Sequence, residues 1–173
     1  MDTVDWIRSL LTEHEGPLLR YAAKITGDVE RAQDVVQDTF LRLCQQKREE
    51  VKGHVVEWLF TVCRNRALDV HRKESRMKTL GENSQVESVP SRDPAPLEVL
   101  ERGETSNRIL DVYGTLSDNQ QEVLRLKFQN GLSYKEISRI TDLTVSNVGY
   151  LIHTALKTIR TKIQTDSSMP SKA

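Results

Sequence analysis

Two cysteines in 173 residues, Cys44 and Cys63, are too few for a disulfide framework, and their spacing fits no metal-binding pattern. Both fall at apolar helical positions, so two small buried side chains are expected. No apolar run approaches the length that spans a bilayer, and the N-terminus lacks a basic stretch followed by an apolar one. A cytoplasmic protein is the resulting expectation. No nucleophile, metal cluster or Gly-rich phosphate loop is present, so neither an enzyme nor a cofactor is expected. Internal repeats are missing too. Net charge is absent as well: 25 Lys and Arg stand against 25 Asp and Glu, so bulk charge does not point to nucleic acid.

The distribution of that charge does. Between Arg64 and Lys78 lie Arg64, Arg66, Arg72, Lys73, Arg76 and Lys78 against Asp69 and Glu74, with His71 among them. Between Asp28 and Asp38 the balance reverses, with Asp28, Glu30, Asp34 and Asp38 against Arg31 alone. One surface for an anionic polymer and another for a different partner would explain this asymmetry; two solvated faces are the plainer alternative.

The stretch from Leu116 to Arg160 carries the most information. Ser117 precedes Gln120 by three residues, Ser133 precedes Glu136, and Thr144 precedes Asn147. The first two are capping boxes, in which a hydroxyl and a later side chain each satisfy an orphan amide at a helix start. Gly131 follows the first of these helices, where a left-handed residue commonly closes the last turn. Thr141, Asp142 and Leu143 leave room for only a tight turn between the second and third. The pattern predicts a helix-turn-helix whose last helix can enter a DNA major groove. Val123, Leu124, Phe128, Ile137, Ile140, Val148, Leu151, Ile152, Ala155 and Ile159 form its expected core. Ser146, Asn147, Gly149, Tyr150, His153, Thr154 and Lys157 are left outside, a set suited to base edges and phosphates.

The N-terminal half is also helical by periodicity. Val4, Ile7, Leu10 and Leu11 begin one helix; a break is expected at Gly16-Pro17, with a second helix through Leu18, Leu19, Ala22, Ala23 and Ile25. Asp28 is the expected cap of a helix reaching about Gln46. Lys47 to His54 reads as an exposed loop, and another helix follows from about Val55 to Ser75. Proline, glycine and serine then accumulate to about Leu97, marking a linker. The segment from Trp58 to Arg76 joins an aromatic pair and Asn65 to Arg64, Arg72, Lys73 and Arg76. Those cations can follow a phosphate backbone, and an Asn amide can meet an unstacked base. Trp58 is read as packing. The fold class is therefore all-α: two small helical domains joined by a flexible linker.

Three stretches together resemble the extracytoplasmic-function group of bacterial RNA polymerase sigma factors, of the sigma-70 family. They are Asp34-Val-Val-Gln-Asp-Thr-Phe-Leu-Arg-Leu, Trp58-Leu-Phe-Thr-Val-Cys-Arg-Asn, and Leu116 to Arg160 with Leu132-Ser-Tyr-Lys-Glu-Ile inside it. The resemblance implies a region 2 domain at residues 1–77, a linker at 78–97, a region 4 helix-turn-helix domain at 98–163 and a disordered tail at 164–173. It implies that Asp34, Gln37, Asp38 and Leu41 dock on core RNA polymerase, on a β′ coiled coil, with β and β′ both as partners. Lys52, Gly53, His54, Asn65, Asp69, Arg72, Lys73 and Arg76 would then melt and read the promoter −10 element, capturing a flipped base. Tyr134, Lys135, Ser146, Asn147, Gly149, Tyr150, His153, Thr154 and Lys157 would meet duplex DNA of the −35 element. An anti-sigma factor is a further implied partner. The chain departs from its group at the recognition helix, which offers Gly149, Leu151 and Thr154 where relatives carry arginines; Lys157, Arg160 and Lys162 are the cations that remain.

Promoter DNA, opened without covalent chemistry, is the implied target. Two other readings compete with it. A polymerase-independent regulator would pair the same helix-turn-helix with an N-terminal helical sensor or dimerisation domain, and would leave the Asn65 to Arg76 surface without a purpose. A helical interaction protein would make the DNA-like features coincidental.

Overall fold

The computed structural model describes residues 2–81 and 104–167. Every regular element among them is helical, and the helices form two compact units, α1–α4 and α5–α8. The all-α, two-domain class is thus borne out.

In the first unit, α1 (Thr3–Thr26) packs with α2 (Val29–Cys44) and α4 (Val55–Gly81). The break expected at Gly16-Pro17 does not occur: α1 runs through it, with Pro17 inside the helix. A proline forfeits a backbone hydrogen bond and crowds the preceding turn. Here one buried stripe bridges the site, with Trp6 and Leu10 before it and Leu18, Tyr21 and Ala22 after it. Packing on both sides therefore overrides the local signal. The apolar face also differs from expectation, since Val4 and Leu11 are exposed while Trp6 is buried.

Gly27 ends α1 in the left-handed region (φ 71°), its N–H donating to the Ala23 carbonyl at 2.9 Å. The Asp28 side chain then accepts from the Arg31 N–H at 2.9 Å and starts α2, as the sequence predicts. Tyr21 and Phe60 meet edge to face, 5.3 Å between centroids, in the core of the unit. Cys63 is buried beside them, its Sγ 3.9 Å from the Leu18 carbonyl oxygen. Cys44 is exposed, contrary to expectation. It is the last residue of α2, one position past buried Leu43, and no helix among the described residues covers it.

The segment read as a loop holds a single-turn helix, α3 (Arg48–Val51). Buried Val51 pins it to the core, and the Arg48 guanidinium lies over the Trp6 ring at 5.3 Å. α4 reaches Gly81, beyond the predicted end near Ser75 and into the predicted linker. The rest of that linker, to residue 97, and residues 98–103 of the predicted second domain lie outside the described residues.

The second unit comprises α5 (Glu104–Gly114), α6 (Asp118–Leu124), α7 (Tyr134–Thr141) and α8 (Val145–Ser167). Both capping boxes form: Ser117 with Gln120, and Ser133 with Glu136. Thr144 accepts from the Asn147 N–H at 3.1 Å and starts α8. Asp142, in the left-handed region at φ 59°, makes the tight turn between α7 and α8. Gly131 (φ 64°) supplies the left-handed residue ahead of α7.

One feature of this unit has no counterpart in the sequence pattern. Arg125–Gln129 winds as a π-helix, closed by the Asn130 side-chain amide donating to the Arg125 carbonyl at 3.2 Å. The wider turn shifts the buried face: Leu126 enters the core while Phe128, expected inside, is 62% exposed. Val148, Ile152 and Ala155 carry the α8 core, with Leu151 and Ile159 only half-buried. α8 continues to Ser167, past the predicted start of a tail at Gln164; residues 168–173 lie outside the described residues.

Candidate nucleic-acid interface

Three exposed faces hold the predicted site residues. On α2, Asp34, Gln37 and Leu41 recur at three and four residues and stand open to solvent, Leu41 at 59% exposure. Asp38 does not stand with them. It is half-buried and turned towards α4, its Oδ2 3.1 Å from Arg42 Nε and 3.3 Å from Arg66 Nε. This carboxylate ties two helices together and holds Arg42 at the edge of the face. The sequence shows the Asp38–Arg42 spacing of four, but only the packed structure shows Arg66. A second tie, between Arg31 and Glu74, joins the start of α2 to the distal part of α4.

The second face lies along α4 and the turn before it. Asn65, Asp69, Arg72, Lys73 and Arg76 are all exposed, at helical spacings that give one stripe opposite buried Leu59, Phe60, Cys63 and Ala67. The stripe spans about 16 Å, at 1.5 Å per residue. Asp69 offsets part of its charge, its Oδ1 3.8 Å from Arg72 Nη1. Lys52, Gly53 and His54 lie exposed between α3 and α4, and the His54 N–H donates to the Val51 carbonyl at 3.0 Å. The short helix on Trp6 therefore fixes where this turn sits. Trp58 is half-buried, in keeping with a packing role.

The third face is the outer side of α8. Ser146, Tyr150, His153 and Lys157 form an exposed line at intervals of four, three and four, with Asn147 exposed beside it. Gly149 is half-buried because the Tyr134 ring lies against it; a Cβ there would meet Tyr134 Cε2 at 3.6 Å, ordinary contact. Lys127 Nζ lies 5.3 Å from the same ring centroid, so Tyr134 sits between the π-helix and α8. Lys135 is exposed one residue further on. Thr154 belongs elsewhere. It is half-buried, its Oγ1 accepting from Gln120 Nε2 at 3.1 Å and donating to the Tyr150 carbonyl at 2.9 Å. Its hydroxyl is committed to the α6–α8 contact, a link invisible in a local pattern. Lys162 is likewise engaged, donating to Thr115 Oγ1 at 2.7 Å. Sequence reasoning missed Phe128 and Val145, both exposed; only the π-helix explains the first.

These features define a class: a helical DNA-binding protein with a cation-bearing helix in one unit and a helix-turn-helix in the other. Comparison with known proteins sharpens it. The profile for Sigma-70 region 2 matches residues 10–77 and that for Sigma-70 region 4 matches residues 106–159. The chain is 31% identical over 166 residues to the ECF RNA polymerase sigma factor SigL of Mycobacterium tuberculosis, covering 91% of this chain and 89% of that one. It is 28% identical over 128 residues to the ECF RNA polymerase sigma factor SigM of Bacillus subtilis, covering 74% and 77%. Among solved structures, the sigma factor RpoE in complex with the anti-sigma factor NepR from Bartonella quintana shares the fold. Its TM-score is 0.65 at 21% identity, over 94% of this chain and 98% of that one. The chain belongs to the ECF group of the sigma-70 family of RNA polymerase sigma factors. Its function is that of the family, promoter recognition in transcription initiation, and the family is not one of enzymes. No helix among the described residues is long and apolar enough to cross a membrane.

Proposed function

We propose that this sigma factor works by a division of labour between its two units. The first, residues 1–77 in the sequence reading, docks on the core polymerase subunits β and β′ through Asp34, Gln37 and Leu41, with Asp38 holding that face in place. Its second face engages the −10 element: Asn65 receives an unpaired base, and Arg72, Lys73 and Arg76 follow the displaced strand's phosphates. Unstacking a base costs a few kcal/mol, which stacking and a cationic groove offset. Lys52, Gly53 and His54 border the captured base. The second unit, residues 98–163 in the sequence reading, holds duplex DNA of the −35 element through α8, with Tyr134, Lys135 and Lys157 towards the backbone.

The observation that carries this reading is the exposed stripe from Asn65 to Arg76 on the same helix bundle as the Asp34 face. A regulator acting without polymerase has no use for either. The protein acts in the cytoplasm, where the polymerase is, and an anti-sigma factor is its natural antagonist; the solved relative captured with one supports that partner class. Run-off transcription with core polymerase on a genomic promoter library tests the proposal. Specific transcripts are expected only when the chain is added, and β and β′ should co-purify with it. Failure to initiate anywhere, with duplex binding retained by the chain alone, would leave the regulator instead.

A further inference from the structure

The outward line of α8 is unusual in what it presents to a groove. Between Val145 and Leu156 it has no Lys or Arg; Lys157 comes three turns after Ser146. Guanine shows two acceptors in the major groove and is read best by a two-donor fork; ahead of Lys157 this line offers only the separate donors of Ser146, Tyr150 and His153. At its centre stands Tyr150, 66% exposed, its side chain without a ring or hydrogen-bond partner among the described residues. The backbone beneath it is fixed: Thr154 Oγ1 donates to the Tyr150 carbonyl while accepting from Gln120 of α6. The ring is thus a rigidly based apolar plate on the face that points away from the core.

The major-groove edge of unmodified DNA offers one apolar group, the C5-methyl of thymine. Asn147, beside the line, can give an amide fork to adenine N6 and N7, the other half of such a pair. We propose that Tyr150 selects a thymine in the −35 element by covering its methyl group, so that this unit reads A·T pairs where an arginine would read guanine. The inference rests on the assignment of α8 to duplex DNA. The specificity-determining contact is the ring; its hydroxyl is free to reach a phosphate or base acceptor.

The test uses holoenzyme assembled from the full chain and core polymerase. Duplexes enriched from a random pool define the upstream element, and each thymine in it is then replaced singly by deoxyuridine, which removes only the methyl. One replacement should weaken binding about fourfold, the worth of one buried methyl group. The Tyr150→Phe holoenzyme should keep that loss, and the Tyr150→Ala holoenzyme should bind thymine and deoxyuridine duplexes equally. Because the side chain is exposed, both variants should melt like the parent, which circular dichroism checks. An enriched element that no deoxyuridine weakens, or one whose sensitive position stays sensitive in Tyr150→Ala, overturns the thymine contact alone. If no upstream element is enriched, the duplex-reading role of α8 fails, and this inference with it.

Discussion

Asp34 and Asp38 lie one turn apart on α2 in opposite surroundings, one open to solvent and the other between Arg42 and Arg66. Replacing Asp38 by Ala leaves two guanidinium groups facing each other without their shared anion. The first unit should lose about 1 kcal/mol at most, as expected for a partly exposed ion pair. Asp34→Ala should change stability by less than about 0.5 kcal/mol, as at most surface sites, yet weaken binding to core polymerase. Urea unfolding beside a core-binding titration reads both. Cys63 gives a second case. Burial pushes its thiol up to about 12 from an ordinary value near 9.0, with a bond to Thr39 pulling slightly the other way. The folded chain therefore keeps a proton that the unfolded chain releases above about pH 9. This stabilising contribution is full below pH 9.0 and is lost as pH rises towards 12. Stability should fall less steeply between pH 9 and 10.5 in Cys63→Ala than in the parent. At pH 8 a disulfide reagent should label exposed Cys44 at once and Cys63 only on unfolding.

At the scale of elements, Gly131 and Gly149 behave in opposite ways. Gly131 holds φ 64° with open space around it, so an Ala there meets only backbone strain, about 1 kcal/mol. Gly149 lies inside α8 with ordinary helical geometry, and an added methyl touches the Tyr134 ring at ordinary distance. Gly149→Ala should stabilise the second unit by about 0.5–1 kcal/mol, while Gly131→Ala destabilises it; thermal melts of the two variants should move in opposite directions. The same elements show how far a linear pattern reaches. Helix starts at Asp28, Ser117, Ser133 and Thr144 were legible because a cap is made within three residues. Pro17 misled because its signal is local, whereas the stripe from Trp6 to Ala22 that overrides it depends on α2 and α4. Phe128 misled because one π turn re-aims the residues it holds, and periodicity assumes an unbroken winding. The exposed faces were legible for the complementary reason: what the core does not take is left outside. The commitments of Asp38 to Arg66 and of Thr154 to Gln120 were not, since each joins positions far apart in sequence.

For the whole molecule, the two units are joined by the stretch between Gly81 and Glu104 and share one DNA in the proposed function. In that proposal each alone binds weakly. The first would meet single-stranded bases through a handful of cations, and the exposed line of α8 has few groups for phosphates. Linking them makes the second contact intramolecular, at an effective concentration that falls roughly as the −3/2 power of tether length once the sites are spanned. Inserting a Gly/Ser segment as long as that stretch doubles the connection. Promoter affinity of the holoenzyme should fall about threefold, while affinity for core polymerase and for an isolated −10 strand stays unchanged, because the proposal assigns both to the first unit. Fluorescence anisotropy on promoter, single-strand and core titrations separates the three. An unchanged promoter affinity would mean that polymerase, rather than the chain between the units, sets their spacing on DNA, and the tether's proposed role would pass to the enzyme. Placing Asn65→Ala in both lengths then completes the argument: strand opening, followed by a fluorescent base analogue in the −10 region, should drop in each, with core binding intact. Equal loss of core binding would instead make Asn65 part of the docking surface.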